Sequence, residues 1–392
     1  MIKDNARHIN QDTITPGGEH PGRPPRVLLA AGGTGGHVYP AIAIAEALQS
    51  IDESAEILFV GTNNHMEWEA VPAAGFRIQA IWISGFHRRM TLKNLTFPLK
   101  LIVSSLQSRS ILKKFAPDAV VSCGGYAAGP IGWVAAKRNI PLFIQEQNSY
   151  PGITNRMLSG YAELVFTAFE QVERYFPDPS RIRLKGNPTR EALKVNNTEK
   201  AYSYFNFEPE KRTLLIFGGS GGARTINEAV LEHLRFIHDE LNLQIIWQCG
   251  PRYDSWIRRQ LDLSLYPNLK LMPYIERMDL AYSMADLVIS RAGAISCSEL
   301  NLTHKPSILI PSPHVAENHQ YKNAKAMEDA GASILLNDSE AIEQLGDSIK
   351  SLIHNDELLQ SMSKGAESLA RPNAAIEIAR EIMQHVNTQK FN

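Results

Sequence analysis

Three cysteines in 392 residues, Cys123, Cys249 and Cys297, lie far apart and show no CxxC spacing. That excludes a disulfide framework and a paired-thiol zinc site, and it fits reduced thiols in a cytosolic protein. No stretch reaches the roughly 18 consecutive apolar residues of a spanning helix. The chain is therefore expected to be soluble or to meet a membrane only from outside. Residues 1–25 hold no apolar run that could act as a secretory signal; polar and rich in Pro and Gly (PGGEHPGRPP), they read as a disordered tail. Neither charge is in excess. The 40 Lys and Arg against 41 Asp and Glu leave −1, so no overall basicity points to nucleic acid.

What is present is an ordinary globular balance, 44% hydrophobic and 21% charged, in a chain too long for one core of usual size. Two domains are expected. Short apolar runs alternate with helical patterns, as in βαβ units around parallel sheets. Strands are expected at Arg26–Ala31, Glu56–Val60, Ala119–Ser122, Leu142–Gln145 and Leu164–Ala168. A second set is expected at Thr213–Phe217, Gln244–Gln248, Lys270–Tyr274, Leu287–Ser290, Ser307–Ile310 and Ser333–Leu336. Between them, Val195–Lys211 (VNNTEKAYSYFNFEPEK) is polar and charged and reads as a linker.

An internal repeat supports the division. RVLLAAGGTGGHVYPAIAIAEAL starts at Arg26 and RTLLIFGGSGGARTINEAVLEHL at Arg212, each a strand, a GGxGG loop and an amphipathic helix. Glycines after a strand admit a ligand to the backbone, and the following helix offers unpaired N–H groups, a combination that holds phosphate. A dinucleotide site would need an acid at the end of the second strand. That strand ends Val60-Gly61-Thr62, and the GKS/T of a nucleotide-hydrolysing P-loop is also missing. What remains is one anion site per domain, suited to two phosphorylated substrates.

From Val27 to the C-terminal helix the chain resembles the MurG family of glycosyltransferase-B enzymes. The matching pieces are GGTGGHVYPA (Gly32–Ala41), SCGGYAAGP (Ser122–Pro130), EQN (Glu146–Asn148), GITNR (Gly152–Arg156), GNPTR (Gly186–Arg190), GGSGGA (Gly218–Ala223), AGAISCSE (Ala292–Glu299) and HQYKNA (His319–Ala324). Three positions depart from the family pattern: Gln145 stands where His is usual, Ala292 where Ser is frequent, and Gly221 where Gln is frequent.

The resemblance implies two Rossmann-like domains with parallel sheets facing a central cleft. Residues 26–186, completed by a helix at about 374–390, would form the acceptor and membrane-facing domain. Residues 187–373 would bind UDP-GlcNAc. The implied reaction is inverting transfer of N-acetylglucosamine to the MurNAc 4-hydroxyl of lipid I, giving lipid II for peptidoglycan. Implied partners are UDP-GlcNAc, lipid I, an anionic membrane surface and proteins of cell-wall synthesis and division, with no cofactor and no nucleic acid. The implied place is the cytoplasmic face of the membrane, peripherally bound.

Inverting transfer needs a general base and a stabilised leaving diphosphate. No DxD triplet occurs, so a metal-bridged diphosphate is not indicated. His37, closing the first loop, titrates near working pH and is the first candidate base; Glu146 is its rival. Thr34, Gly35 and Gly36 are expected to contact donor phosphate or sugar through backbone N–H groups, and Gly32, Gly33 and Tyr126 to meet the acceptor diphosphate. On the donor side the resemblance assigns Arg190 and Ser220 to the diphosphate, Ile275 to uracil through main-chain groups, and Glu299 to the ribose hydroxyls. It assigns Asn148 and Gln320 to the GlcNAc, with Ala294, Ile295, Ser296, Cys297 and Ser298 beneath the nucleotide.

Between Glu69 and Asp118 no Asp or Glu occurs. The interval holds eight Lys and Arg, among them Arg88, Arg89 and Lys93, with Phe86, Leu92, Leu95, Phe97, Leu99 and Leu101. Basic and apolar residues together suit an anionic bilayer surface, and Phe86, Arg88, Arg89, Lys93 and Phe97 are the expected membrane face. Other readings are a transferase with a soluble acceptor, a UDP-GlcNAc 2-epimerase, and a nucleotide-sugar sensor without turnover.

Overall fold

The computed structural model describes residues 23–63, 66–84, 96–189, 193, 197–315 and 318–390. Its described strands form two sheets, all of whose pairings are parallel. The first contains β1 (Arg26–Ala30), β2 (Glu56–Thr62), β3 (Arg77–Ile81), β4 (Ala119–Ser122), β5 (Leu142–Glu146), β6 (Leu164–Thr167) and β7 (Ile182–Leu184) in the order β3-β2-β1-β4-β5-β6-β7. The second contains β8 (Thr213–Phe217), β9 (Gln244–Gln248), β10 (Leu269–Met272), β11 (Leu287–Ser290), β12 (Ser307–Leu309) and β13 (Ser333–Leu335) in the order β10-β9-β8-β11-β12-β13.

After their first residues, Arg26 and Thr213, both central strands are apolar throughout because both of their faces are covered. Val27 and Leu29 of β1 point into one core layer, Leu28 and Ala30 into the other. Leu214 and Ile216 of β8 alternate with Leu215 and Phe217 in the same way. Strand order reverses at β1 and again at β8. Each glycine loop therefore leaves its sheet at a topological switch point, where open α/β sheets bind ligands.

Two strands escaped the sequence reading, β3 and β7. Both are sheet edges, and their partial exposure breaks the continuous apolar run that marks a central strand. The expected linker is also corrected. Thr198–Phe205 is a helix whose N-cap Asn197 accepts from the Lys200 amide at 3.2 Å. Its Ala201 and Phe205, with Phe207 beyond it, are buried in the second half's core. The polar residues of this stretch are the outer face of an amphipathic helix.

The last helix, Ala374–Lys390, returns to the first half. Ile378, Ile382 and Val386 are buried against the helix α1 (Gly35–Ile51), and Lys185 bridges to Glu381 at 2.8 Å and Glu377 at 3.2 Å.

The helix Phe97–Phe115 has its polarity reversed over its first three turns, although Ile111 and Leu112 near its end are buried. Ser104 and Ser108 face inward and are fully buried, whereas Leu99, Ile102 and Leu106, spaced along one face, are 54%, 61% and 63% exposed. Phe97, of the expected membrane face, is partly buried and packs against the core beneath the helix. Phe86, Arg88, Arg89 and Lys93 lie outside the described residues. Among the described residues, no helix is long and apolar enough to cross a membrane.

Candidate active site

The first glycine loop runs from β1 into α1, whose N-cap is Thr34. It is nested against a second loop, after β4, by close backbone contact. A Cβ on Gly125 (φ 83°) would lie 2.3 Å from the Gly32 carbonyl oxygen, and one on Gly124 (φ 94°) would lie 2.7 Å from His37 Cδ2. The His37 ring therefore lies directly against the Gly124 backbone. Its Nδ1 is 3.1 Å from Thr34 Oγ1. Burial holds the imidazole below its ordinary pKa, partly opposed by a hydrogen bond to the Gly32 carbonyl and by the charge of Glu67. A neutral imidazole near pH 7 can accept a proton.

Glu67, which the sequence reading passed over, begins the helix α2 (Glu67–Ala73) and is 1% exposed. Its carboxylate accepts from the Thr62 amide at 3.0 Å, the Thr62 hydroxyl at 2.8 Å and the Gly33 amide at 3.1 Å. An acid does reach the end of β2, but from the following helix, and it is turned into the backbone. With Gly33 committed to Glu67, ligand-facing amides must come from Thr34, Gly35 and Gly36, in the first turn, which lacks intrahelical acceptors.

Glu146 ends β5 and is also 1% exposed. It accepts from the Asn148 amide (3.0 Å) and side chain (3.3 Å), the Gly152 amide (3.0 Å) and Asn155 Nδ2 (2.9 Å). Burial raises its pKa, and these hydrogen bonds pull in the opposite direction. The carboxylate is saturated by the loop that it organises.

Gln145, the family departure, points away from the ligand loops into a buried amide relay. Its Nε2 donates to Asn187 Oδ1 at 3.1 Å, and its Oε1 accepts from Gln147 Nε2. Asn187 Nδ2 then donates to Ser298 Oγ of the second half at 3.0 Å. The relay joins the two halves at their crossing.

The second glycine loop is built like the first. A Cβ on Gly222 (φ 73°) would lie 2.0 Å from the Cys249 carbonyl oxygen, and one on Gly250 (φ 89°) 2.5 Å from that of Gly221. Ser220 at its tip is exposed. Gln248, also missed by the sequence reading, ends β9 and donates to the Gly219 carbonyl at 3.0 Å. It accepts from the Ile275 amide at 2.7 Å. Ile275 has a buried side chain and a committed N–H. The neighbouring Tyr274 hydroxyl lies 3.0 Å from that of Tyr39 on α1, so the two halves touch beside the loops.

Ala294 opens the helix Ala294–Leu302, with Ala294 and Cys297 buried and Ile295, Ser296 and Ser298 partly exposed. Burial pushes the Cys297 thiol up to about 12, so it stays protonated. Glu299 on the same helix is 8% exposed, not a solvated helix residue as its sequence context alone suggests. The Tyr282 hydroxyl donates to it at 3.2 Å. Gln320 accepts from the Ser312 amide at 2.8 Å, Asn148 is half-buried and Tyr126 is exposed. Arg190 lies outside the described residues.

Comparison with known proteins places this geometry. Residues 27–167 match the glycosyltransferase family 28 N-terminal domain and residues 213–384 its C-terminal domain. A protein of Christiangramia forsetii named UDP-N-acetylglucosamine--N-acetylmuramyl-(pentapeptide) pyrophosphoryl-undecaprenol N-acetylglucosamine transferase is 43% identical over 366 residues, 93% of this chain and 98% of its own. The crystal structure of Acinetobacter baumannii MurG superposes with a TM-score of 0.70 at 29% identity, covering 92% of this chain and all of that one. A UDP-GlcNAc 2-epimerase from Neisseria meningitidis bound to UDP-GlcNAc gives 0.65 at 17% identity over 92% of this chain and 100% of that chain, a likeness of fold alone.

Proposed function

The chain belongs to the MurG family of glycosyltransferases, and from that premise we propose that it transfers N-acetylglucosamine from UDP-GlcNAc to the MurNAc 4-hydroxyl of undecaprenyl-diphosphate-MurNAc-pentapeptide. The observation that carries this reading is a pair of glycine loops at the two switch points of a chain matched nearly end to end by such a transferase. Residues 26–186 with the helix Ala374–Lys390 serve the acceptor, and residues 187–373 serve the donor. His37 takes the proton of the attacking hydroxyl. Glu146, with its lone pairs occupied, shapes the Asn148–Gly152 loop instead. Thr34, Gly35 and Gly36 present amides to the sugar phosphates, and Ser220 and Arg190 meet the leaving diphosphate. The start of the helix Ala294–Leu302 lies under the nucleotide, and Asn148 and Gln320 hold the sugar.

Incubation with UDP-GlcNAc and lipid I tests the reaction. A disaccharide lipid with stoichiometric UDP is expected; UDP with an epimerised sugar, or binding without turnover, would overturn it.

Glu299 accepts the ribose hydroxyls in this reading. Glu299→Ala should weaken UDP-GlcNAc binding by about 1.5–3 kcal/mol, the range for hydrogen bonds to a charged group. Unchanged affinity by calorimetry, with the fold intact, would move the nucleotide elsewhere.

The reversed helix Phe97–Phe115 supports peripheral docking on the cytoplasmic leaflet, where the prenyl chain stays in the bilayer. Leu99, Ile102 and Leu106 would enter the interface while Lys100, Arg109 and Lys113 meet anionic headgroups, a salt-screened attraction. Each buried aliphatic side chain contributes about 1.5–3 kcal/mol. Ile102→Glu with Leu106→Glu should thus lower partition onto anionic vesicles by roughly 10²-fold or more, while turnover of a short-chain acceptor survives. Vesicle binding indifferent to both substitutions and to salt would sink the docking assignment.

A further inference from the structure

We propose that Glu67 is a positioning residue of the transfer reaction, its carboxylate fixing the Gly32–Gly33 backbone against which the His37 imidazole docks. The inference rests on His37 being the base. The contacts run in series. Glu67 grips the Gly33 amide at 3.1 Å and is itself held by the amide and hydroxyl of Thr62 at the end of β2. One residue before Gly33, the Gly32 carbonyl faces Gly125, whose neighbour Gly124 lies directly against the His37 ring. Gly125 closes the other side, where no Cβ would fit against Gly32. The peptide that receives the imidazole is thus held between α2 and the loop after β4.

The packing leaves Glu67 no alternative place. A Cβ at Gly32 or at Gly61 would each come within 2.8 Å of its side chain. Both glycines are therefore the space that the carboxylate occupies. Nothing in this arrangement offers the carboxylate to substrate, so its effect on the reaction passes through His37.

Its charge acts through the same geometry. Of the elements around the imidazole, α2 carries Glu67 and Glu69, the loop after β4 carries Cys123 and Tyr126, and His37's own helix carries Tyr39. Glu69 and Tyr126 are exposed, burial keeps the Cys123 thiol protonated, and the Tyr39 hydroxyl meets Tyr274. Glu67 is the buried anion of the set, and it favours the imidazolium that forms as the acceptor hydroxyl loses its proton.

Glu67→Gln keeps the size of the side chain but removes the charge and one of the two acceptor oxygens, so that Thr62 or Gly33 loses its partner. With UDP-GlcNAc and a short-chain lipid I, kcat should fall by roughly 10–10²-fold, as for a displaced catalytic group, with KM for UDP-GlcNAc unchanged. The acidic limb of the kcat profile should move to lower pH, because an imidazole without its anion loses its proton more readily. A merely structural lesion would lower kcat or raise KM without moving that limb.

Unaltered kcat and limb in Glu67→Gln would overturn the inference. An acidic limb that persists in His37→Asn would instead overturn the base assignment on which it rests. Should Glu67→Gln not fold, Glu67→Asp decides the matter. It keeps the charge but withdraws the carboxylate from the Gly33 amide, so kcat should fall with the limb in place. Wild-type kcat in that variant would overturn the inference.

Discussion

His37→Asn is expected to lower turnover by roughly 10²–10⁴-fold, the usual worth of a general base, while leaving UDP affinity nearly unchanged. Asparagine can still hydrogen-bond within the loop but cannot take a proton from a sugar hydroxyl. Pre-steady-state and steady-state rates with UDP-GlcNAc and a short-chain acceptor, alongside calorimetric UDP binding, separate the two effects. The pH dependence has a definite sign. A base works in its neutral form, and burial lowers the proton affinity of this imidazole. Activity should therefore persist into pH values below the ordinary histidine value of about 6.5 and fail only under the depressed pKa. A mild effect here, with the large loss appearing in Glu146→Gln, would exchange the roles of the two residues.

Glu146→Ala should act mainly on stability. The two loop amides and Asn155 Nδ2 that it satisfies would be left facing a buried void. Leaving a buried donor unsatisfied costs about 1–3 kcal/mol, so the set costs roughly 3–5 kcal/mol, which lowers a domain's melting temperature by roughly 6–20 °C. Differential scanning calorimetry of the purified variant measures this directly. A melting profile within a degree or two of the parent would mean that the Asn148–Gly152 loop is held by something else. The charged form of Glu146 is itself penalised by burial. Because its pKa is raised on folding, its contribution to stability is present below the unfolded value and lost as pH climbs through the folded one.

The central strands of both sheets were legible because parallel strands covered on both faces read as unbroken apolar runs, as in LLIF of β8. The paired GGxGG loops were legible because glycine is demanded there by positive φ and by backbone contact. The edge strands β3 and β7 of the first sheet and the helix Thr198–Phe205 were not, since each wears a polar face over a narrow apolar one. Glu67 and Gln248 were hidden for another reason. Each braces a glycine loop remote in sequence, and the hydrogen bonds that reveal this exist only after the sheets have brought strand ends together. Glu67 left one trace, an acid five residues beyond a strand whose end lacked one. The exposed apolar stripe of the helix Phe97–Phe115 was equally invisible, because helical spacing cannot say which stripe faces the sheet when serines stand among the buried residues.

The relay through Gln145, Gln147, Asn187 and Ser298 consists entirely of neutral groups. An imidazole at position 145, the family's usual choice, would on acidification trade an acceptor for a second donor and bring a charge into a dry joint. Carboxamides undergo no such change. The pivot between the halves therefore keeps one set of partners across the whole range in which His37 titrates. Acidification therefore leaves unchanged the hydrogen bonds that join the two halves.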